Sequence, residues 1–246
     1  MTKLLEVAGV EKDFGGVRAA DCLSLSLAEG EMLCLIGPNG CGKTTLFNLI
    51  TGALKPDAGT IRFAGTDLRG REPWQIARLG MLRKFQVPGI YEELPVAENL
   101  IVALVGSGSA GGDEGEGRLD ELLALAGLSD KRGLPAGSLA HGEKQWLEIA
   151  MVLARRPRLL LLDEPTNGMT AAETAATVAL IRDLHGRFGC AVLVIEHDMG
   201  FVRDLGCPVA LMVRGKIVRR GSYAELQDDP LVREAYLGTP EPEPVG

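Results

Sequence analysis

The chain of 246 residues carries 26 lysines and arginines against 33 aspartates and glutamates, a formal net charge of -7. That acidic balance, with no basic run longer than Arg155-Arg156 or Arg219-Arg220, argues against nucleic acid as a partner. Hydrophobic residues at 46% and charged residues at 24% suit a globular protein with one substantial core. The longest apolar runs fall far short of the ~18 residues that span a bilayer. The first residues lack the apolar stretch of a signal peptide, so a cytoplasmic protein is expected, recruited by others if it works at a membrane. The five cysteines, Cys22, Cys34, Cys41, Cys190 and Cys207, show no CxxC spacing and are expected as reduced thiols.

In chain order, residues 4–10 and 20–27 read as strands, and residues 31–36 as a short buried strand ending at a Gly/Pro/Asn turn. A helix is expected from near Gly42 to Gly52, an edge strand over 60–63, and a helix over about 73–79. Between Gly89 and Pro157 the strand patterns vanish. Apolar residues there recur at helical spacing in Val96, Ala97, Leu100, Ile101 and Leu104, and again in Leu119, Leu122, Leu123 and Leu125. Residues 106–117 between them read as a flexible polar linker. Buried-strand patterns resume at 159–162 and 191–195, with a helix at about 171–188 between them. That crossover implies a largely parallel sheet. The expected fold is therefore α/β: residues 1–88 and 158–238 form a core with an antiparallel N-terminal part, 89–157 form an inserted helical subdomain, and 239–246 a disordered tail.

Gly37-Pro38-Asn39-Gly40-Cys41-Gly42-Lys43-Thr44 fits GxxxxGK(S/T), follows an expected strand and opens an expected helix. Such a loop turns backbone N–H groups toward phosphate oxygens at a helix N-terminus. Lys43 reaches the β/γ-phosphates, the Thr44 hydroxyl suits Mg²⁺, and Thr45 beside it is a further nucleotide-binding candidate. Leu159-Leu160-Leu161-Leu162-Asp163-Glu164 is an apolar strand delivering two carboxylates at its carboxyl end, where ligands of open α/β sheets bind. Asp163 suits Mg²⁺, and Glu164 suits polarisation of an attacking water. Cys41, within the loop and near Lys43, is expected to be a reactive thiol of lowered pKa.

Roughly 20 residues before the aspartate strand stands Ser138-Leu139-Ala140-His141-Gly142-Glu143-Lys144-Gln145. This stretch resembles the LSGGQ signature of ABC ATPases, and the resemblance covers nearly the whole chain. It implies an ATPase with MgATP as its nucleotide, in which Leu139, Ala140, His141, Gly142 and Glu143 of one subunit cap the γ-phosphate held by another. It further implies that Gln86 touches Mg²⁺ or water and links core to helical lobe, that His197 contacts the γ-phosphate, and that Phe14 stacks on adenine. Ala140 stands for the signature serine, His141 and Glu143 for a glycine and a glutamine, and Thr170 for the aspartate many members carry.

Phe14-Gly15-Gly16-Val17-Arg18-Ala19, Glu196-His197-Asp198-Met199 and Ala235-Tyr236-Leu237-Gly238 are similar to the ATPase subunits of bacterial importers for branched-chain amino acids, urea and short amides. Arg83-Lys84-Phe85-Gln86-Val87-Pro88 and Lys144-Gln145-Trp146-Leu147-Glu148 lean toward the urea-type branch. The implied partners are a second ABC ATPase subunit (a paralogue or another copy), two membrane permeases and, indirectly, an extracytoplasmic solute-binding protein. The helical lobe, with Tyr91-Glu92-Glu93-Leu94 at its start, is the expected docking surface. The alternatives are a soluble ABC ATPase and a non-hydrolysing nucleotide sensor. A GTPase would carry an NKxD motif, which is missing from the chain.

Overall fold

The computed structural model describes residues 3–84, 89–106, 112–230 and 232. It opens on a hairpin of two long strands, β1 (Lys3–Phe14) and β2 (Val17–Ala28), turning at Gly15 and Gly16. Every second residue of β2 from Leu23 to Leu27 is buried, the period expected of a strand with one wet face. With β4 (Ala58–Phe63) and the short β5 (Thr66–Asp67) the hairpin forms an antiparallel sheet ordered β2-β1-β4-β5. β4 is thus flanked on both sides, and β5 takes the edge expected for it.

The second sheet is ordered β10-β9-β3-β8-β7-β6. Its strands are β3 (Met32–Ile36), β6 (Met81–Lys84), β7 (Leu159–Asp163), β8 (Ala191–Ile195), β9 (Val209–Val213) and β10 (Lys216–Gly221). All are parallel except β10, which returns antiparallel to β9. The continuous apolar runs of β3 and β7 serve two cores at once. Cys34, Ile36, Leu160 and Leu162 face one cluster, whereas Leu33, Leu35, Leu159 and Leu161 face the other. A strand buried on both faces has no polar alternation to show.

Helix α1 (Lys43–Ile50) follows β3, and α2 (Pro73–Arg78) precedes β6. Between Gly89 and Pro157 lie α3 (Val96–Gly106), α4 (Gly112–Leu125) and α5 (His141–Leu153), with an isolated bridge from Pro95 to Pro135 as the strand-like pairing among the described residues. α4 begins at Gly112, so the polar stretch read as a linker to Gly117 is helical over its second half. Leu100, Leu122, Leu147 and Ile149 of these helices join the same apolar cluster as Cys34 and Leu160 of the sheet. Helix α6 (Ala171–Phe188) makes the crossover from β7 to β8. α7 (Met199–Leu205) and α8 (Tyr223–Leu226) complete the order. No described helix is long and apolar enough to cross a membrane. The tail, residues 239–246, lies outside the described residues.

Four strands exceed the reading from sequence alone: the two-residue β5, and β6, β9 and β10 of the second sheet. β6 reads Met81-Leu82-Arg83-Lys84, and half of its residues are cations, yet Lys84 is 1% exposed. Ion pairs with Asp163 and Glu148 bury those charges, and hydropathy cannot register a buried pair. β9 is a plain apolar run, and β10 a cation-rich edge strand of the kind that discourages pairing with another chain.

Candidate functional site

The carboxyl ends of β3, β7 and β8 share one edge of the parallel sheet, because β3 pairs with β8 and β8 with β7 in register. The phosphate-loop sequence leaves β3 at Ile36 and enters α1 at Lys43. Two glycines are required by close approach. A Cβ on Gly37 would sit 2.2 Å from the Met212 carbonyl oxygen, and one on Gly42, at φ +109°, 2.1 Å from that of Ala19. Gly42 is also the N-cap of α1, so the loop wraps the N-terminus of that helix. Lys43 is buried and its Nζ donates to the carbonyls of Gly37 at 2.6 Å and Pro38 at 3.1 Å, which holds the ammonium against the loop. Thr44, Asn39 and Gly40 are exposed, and Pro38 and Thr45 are half-buried.

Cys41 corrects the expectation from sequence. Its side chain is only 5% exposed, and its Sγ lies 2.8 Å from where a Gly37 Cβ would be. Burial raises its thiol pKa and outweighs the opposing pull of Lys43 and the backbone N–H groups. It fills a small-residue slot in the apolar cluster beneath the loop. All five cysteines are free thiols, with Cys22 exposed. Burial pushes Cys190 and Cys207 up to about 11.

At the end of β7, Asp163 is 1% exposed. Its Oδ2 accepts from Arg83 Nη2 at 2.6 Å, while its Oδ1 is buried with no hydrogen-bond partner among the described residues. A carboxylate oxygen left bare in the interior is costly unless a cation or water completes it. Glu164, next in the chain, adopts φ +47°, a left-handed conformation that costs a non-glycine residue on the order of 1–3 kcal/mol. Its N–H donates to the Ile195 carbonyl at 2.9 Å, and its carboxylate lies 3.6 Å from His197 Nδ1. The side chains of Glu164 and His197 are 23% and 54% exposed, so both reach the surface at this edge.

Glu196 braces the pair from below. Buried at 1% exposure, it accepts from the N–H (3.1 Å) and hydroxyl (2.6 Å) of Thr166 and from the N–H of His197 (3.1 Å). One carboxylate thereby ties the turn after β7 to the turn after β8. Sequence reading missed Glu196 and Arg83; both are charged residues at strand ends, a pattern shared with ordinary solvated positions. Among the described residues no cluster of three or more His, Cys, Asp or Glu could hold a metal. The donors here are one carboxylate oxygen and the hydroxyl of Thr44, a set that fits a Mg²⁺ whose remaining ligands are phosphate and water.

The signature stretch sits apart, at the start of α5. The helix begins at His141, so Gly142 lies in its first turn. Its leading N–H groups are not bare: that of Ala140 donates to Glu143 Oε2 at 3.1 Å and that of Gly142 to Glu173 Oε1 at 3.3 Å. The buried Leu139 anchors the turn, and His141 Nε2 is 3.2 Å from the Asn167 carbonyl. Glu143 also pairs with Lys131. Thr170 N-caps α6 with Glu173 as its reciprocal partner, the task an aspartate would do equally well. Backbone and hydroxyl hydrogen bonds from Thr170 hold the Glu173 carboxyl below its usual pKa.

Phe14 ends β1 at 46% exposure, with Lys12 Nζ 5.6 Å from its ring centre, on the hairpin whose Ala19 carbonyl abuts Gly42. Gln86 lies outside the described residues; the flanking Lys84 and Gly89 both contact Glu148 of α5, at 3.3 Å each.

A strand, phosphate loop and helix beside an Asp-Glu strand define a nucleoside-triphosphatase core, here joined to a signature-bearing helical region. The family model described as ABC transporter matches residues 20–167, and the model described as branched-chain amino acid ATP-binding cassette transporter matches residues 220–242. The chain is 37% identical to the high-affinity branched-chain amino acid transport ATP-binding protein LivG of Salmonella typhimurium, over 96% of this chain and 98% of that one. It is 35% identical over the same shares to BraF of Pseudomonas aeruginosa, which bears the same description. The crystal structure of the ADP conformation of MJ1267, an ATP-binding cassette of an ABC transporter, superimposes with a TM-score of 0.84 at 28% identity, covering 97% of this chain and all of that one. The chain belongs to the ABC transporter family and is one of its ATP-hydrolysing cassettes.

Proposed function

We propose that this cassette powers bacterial uptake of a small amide-like or amino-acid solute, a branched-chain amino acid, urea or a short amide. The observation that carries the reading is the gathering of Lys43, Asp163, Glu164 and His197 at one sheet edge, with Glu164 3.6 Å from His197. The description of LivG and BraF supports the solute class, and the stretches Arg83 to Pro88 and Lys144 to Glu148 lean it toward urea.

In this reading the loop N–H groups and Lys43 bind the phosphates, and Phe14 offers its exposed face to the base. Glu164 takes a hydrogen bond from the attacking water and orients it, while His197 contacts the γ-phosphate. Mg²⁺, when bound, neutralises developing charge on the phosphates; Thr44 and Asp163 would hold it, with Gln86 as a third contact. The signature residues Leu139 to Glu143 act in trans on a second cassette. For that, Gly142 N–H must exchange the Glu173 carboxylate for a phosphate oxygen. Gly89–Pro157 is the helical subdomain of a single cassette domain.

Docking to permeases is assigned to the groove of about 410 Å³ between α2, β6 and α5. Its wall includes Trp74, 57% exposed with Arg78 stacked 4.9 Å away, and its lining reaches Met151, Val152 and Glu148. Nearby Tyr91 is exposed, but Glu92 already pairs with Lys144 at 2.8 Å, leaving Glu93 as the freer charge of that stretch. In this reading the protein works on the inner face of the cell membrane, held there by its partners. The test is uptake of labelled leucine, urea and acetamide by cells lacking this chain. Loss of one of these, restored by the wild-type chain and not by Glu164→Gln, is expected; unchanged uptake of all three would overturn the solute assignment.

A further inference from the structure

Arg83 belongs to β6, and its side chain is almost fully buried (9% exposed) between the aspartate strand and α1. One guanidinium nitrogen donates to Asp163 Oδ2 at 2.6 Å, and the other donates to Asn48 Oδ1 at 2.7 Å. The guanidinium carbon lies 5.4 Å from the centre of the Phe47 ring, and Phe47 is itself fully buried on α1. Asn48 is four residues beyond Thr44, one helical turn along the same face of α1. A single planar fork therefore joins the carboxylate and the helix that carries the hydroxyl.

We propose that Arg83 is a positioning residue for the metal site: it occupies Oδ2 of Asp163, leaves Oδ1 for Mg²⁺ or its water, and locks that carboxylate to the helix carrying Thr44. The inference rests on the reading of Asp163 and Thr44 as Mg²⁺ contacts. Three observations bear on it. Oδ1 is the buried oxygen without a hydrogen-bond partner among the described residues, while Oδ2 is held at a short, charge-assisted distance. The two acceptors are bound by separate nitrogens of one rigid fork, a geometry that lysine, a point charge on a flexible stem, cannot reproduce. And the aromatic face of Phe47 fixes the plane of the fork. Residues that orient a metal ligand commonly change metal affinity by about 10- to 100-fold when replaced.

The experiment is equilibrium binding of a fluorescent ATP analogue to the purified full-length chain, first in EDTA and then across a Mg²⁺ titration. Wild type, Arg83→Lys and Asn48→Ala are compared. In wild type, Mg²⁺ should tighten binding; no effect of Mg²⁺ there would defeat the reading of the metal site itself, separately from the role of Arg83. Given that effect, Arg83→Lys should bind the analogue in EDTA within about twofold of wild type and need about tenfold more Mg²⁺ for half-maximal tightening. An unchanged Mg²⁺ midpoint, or equal weakening in EDTA and in Mg²⁺, overturns the proposal, since a merely structural arginine would produce one or the other. If Arg83→Lys does not fold, Asn48→Ala decides by the same criterion with an expected shift of about threefold, because the Arg83 fork then keeps only its anchor on Asp163.

Discussion

Glu164 holds a backbone conformation that its side chain does not favour, at φ +47°, and its N–H is fixed to β8 through the Ile195 carbonyl. Strain of that kind persists where the surroundings over-determine it, and Glu196, satisfied by Thr166 and His197, is what over-determines it here. Replacing Glu164 by Gln keeps size and backbone but removes the base. Phosphate release by the assembled transporter should fall by about 10²–10⁴ while ATP binding is retained; turnover within a few-fold of wild type would remove Glu164 from the chemistry. Cys41 makes the opposite point, that a charged neighbourhood does not guarantee a reactive group. With its thiol pKa raised by burial, alkylation at neutral pH should label the exposed Cys22 first and spare Cys41 with or without MgATP. Mapping of the modified peptide checks this, and early ATP-protected labelling of Cys41 would contradict it.

The pair of Lys84 on β6 and Glu148 on α5 joins sheet to helical region at 3.3 Å, with both side chains under a tenth exposed. Burial lowers the Lys84 pKa, and attraction to Glu148 only partly restores it. Removing one partner of such a buried pair leaves the other without that counter-charge, at a cost of about 3–5 kcal/mol, whereas replacing both by apolar groups is commonly near neutral. Lys84→Met should therefore destabilise more than the Lys84→Met/Glu148→Met double variant in denaturant unfolding. The sign with pH follows from the depressed lysine. The unfolded chain binds more protons between the folded pKa and 10.5, so wild type should gain stability relative to Lys84→Met as pH rises through that window. The same pair explains where the sequence was opaque: Arg83 and Lys84 make β6 look like a solvated turn, and their partners, Asp163 and Glu148, are far along the chain. β3, β7 and β8 were legible because apolar runs of four or five residues, stopped by Gly37, Asp163 and Glu196, leave little else to be. Gly142, in the first turn of α5, could not be understood from its neighbours in sequence: it serves a close approach to Glu173, whose carboxylate would lie 2.7 Å from an added Cβ.

At the scale of the molecule, one edge of a parallel sheet carries the phosphate loop, the two carboxylates and His197, and the face formed by α2 and α5 carries an apolar groove. Trp74→Glu, placed in the wall of that groove, should abolish solute uptake in cells while leaving nucleotide binding by the purified chain intact; full uptake would argue that permeases dock elsewhere. The central claim is that the loop from Gly37 to Thr44 is where this chain holds its nucleotide, and it can be tested without any partner. Equilibrium binding of MgATP at low salt is measured for wild type and Lys43→Ala. The ammonium, gathered to the loop by the carbonyls of Gly37 and Pro38, is the charge that phosphates would pair with, and its loss should weaken binding at least tenfold, about 1.4 kcal/mol or more. An affinity for Lys43→Ala equal to that of wild type would contradict the account.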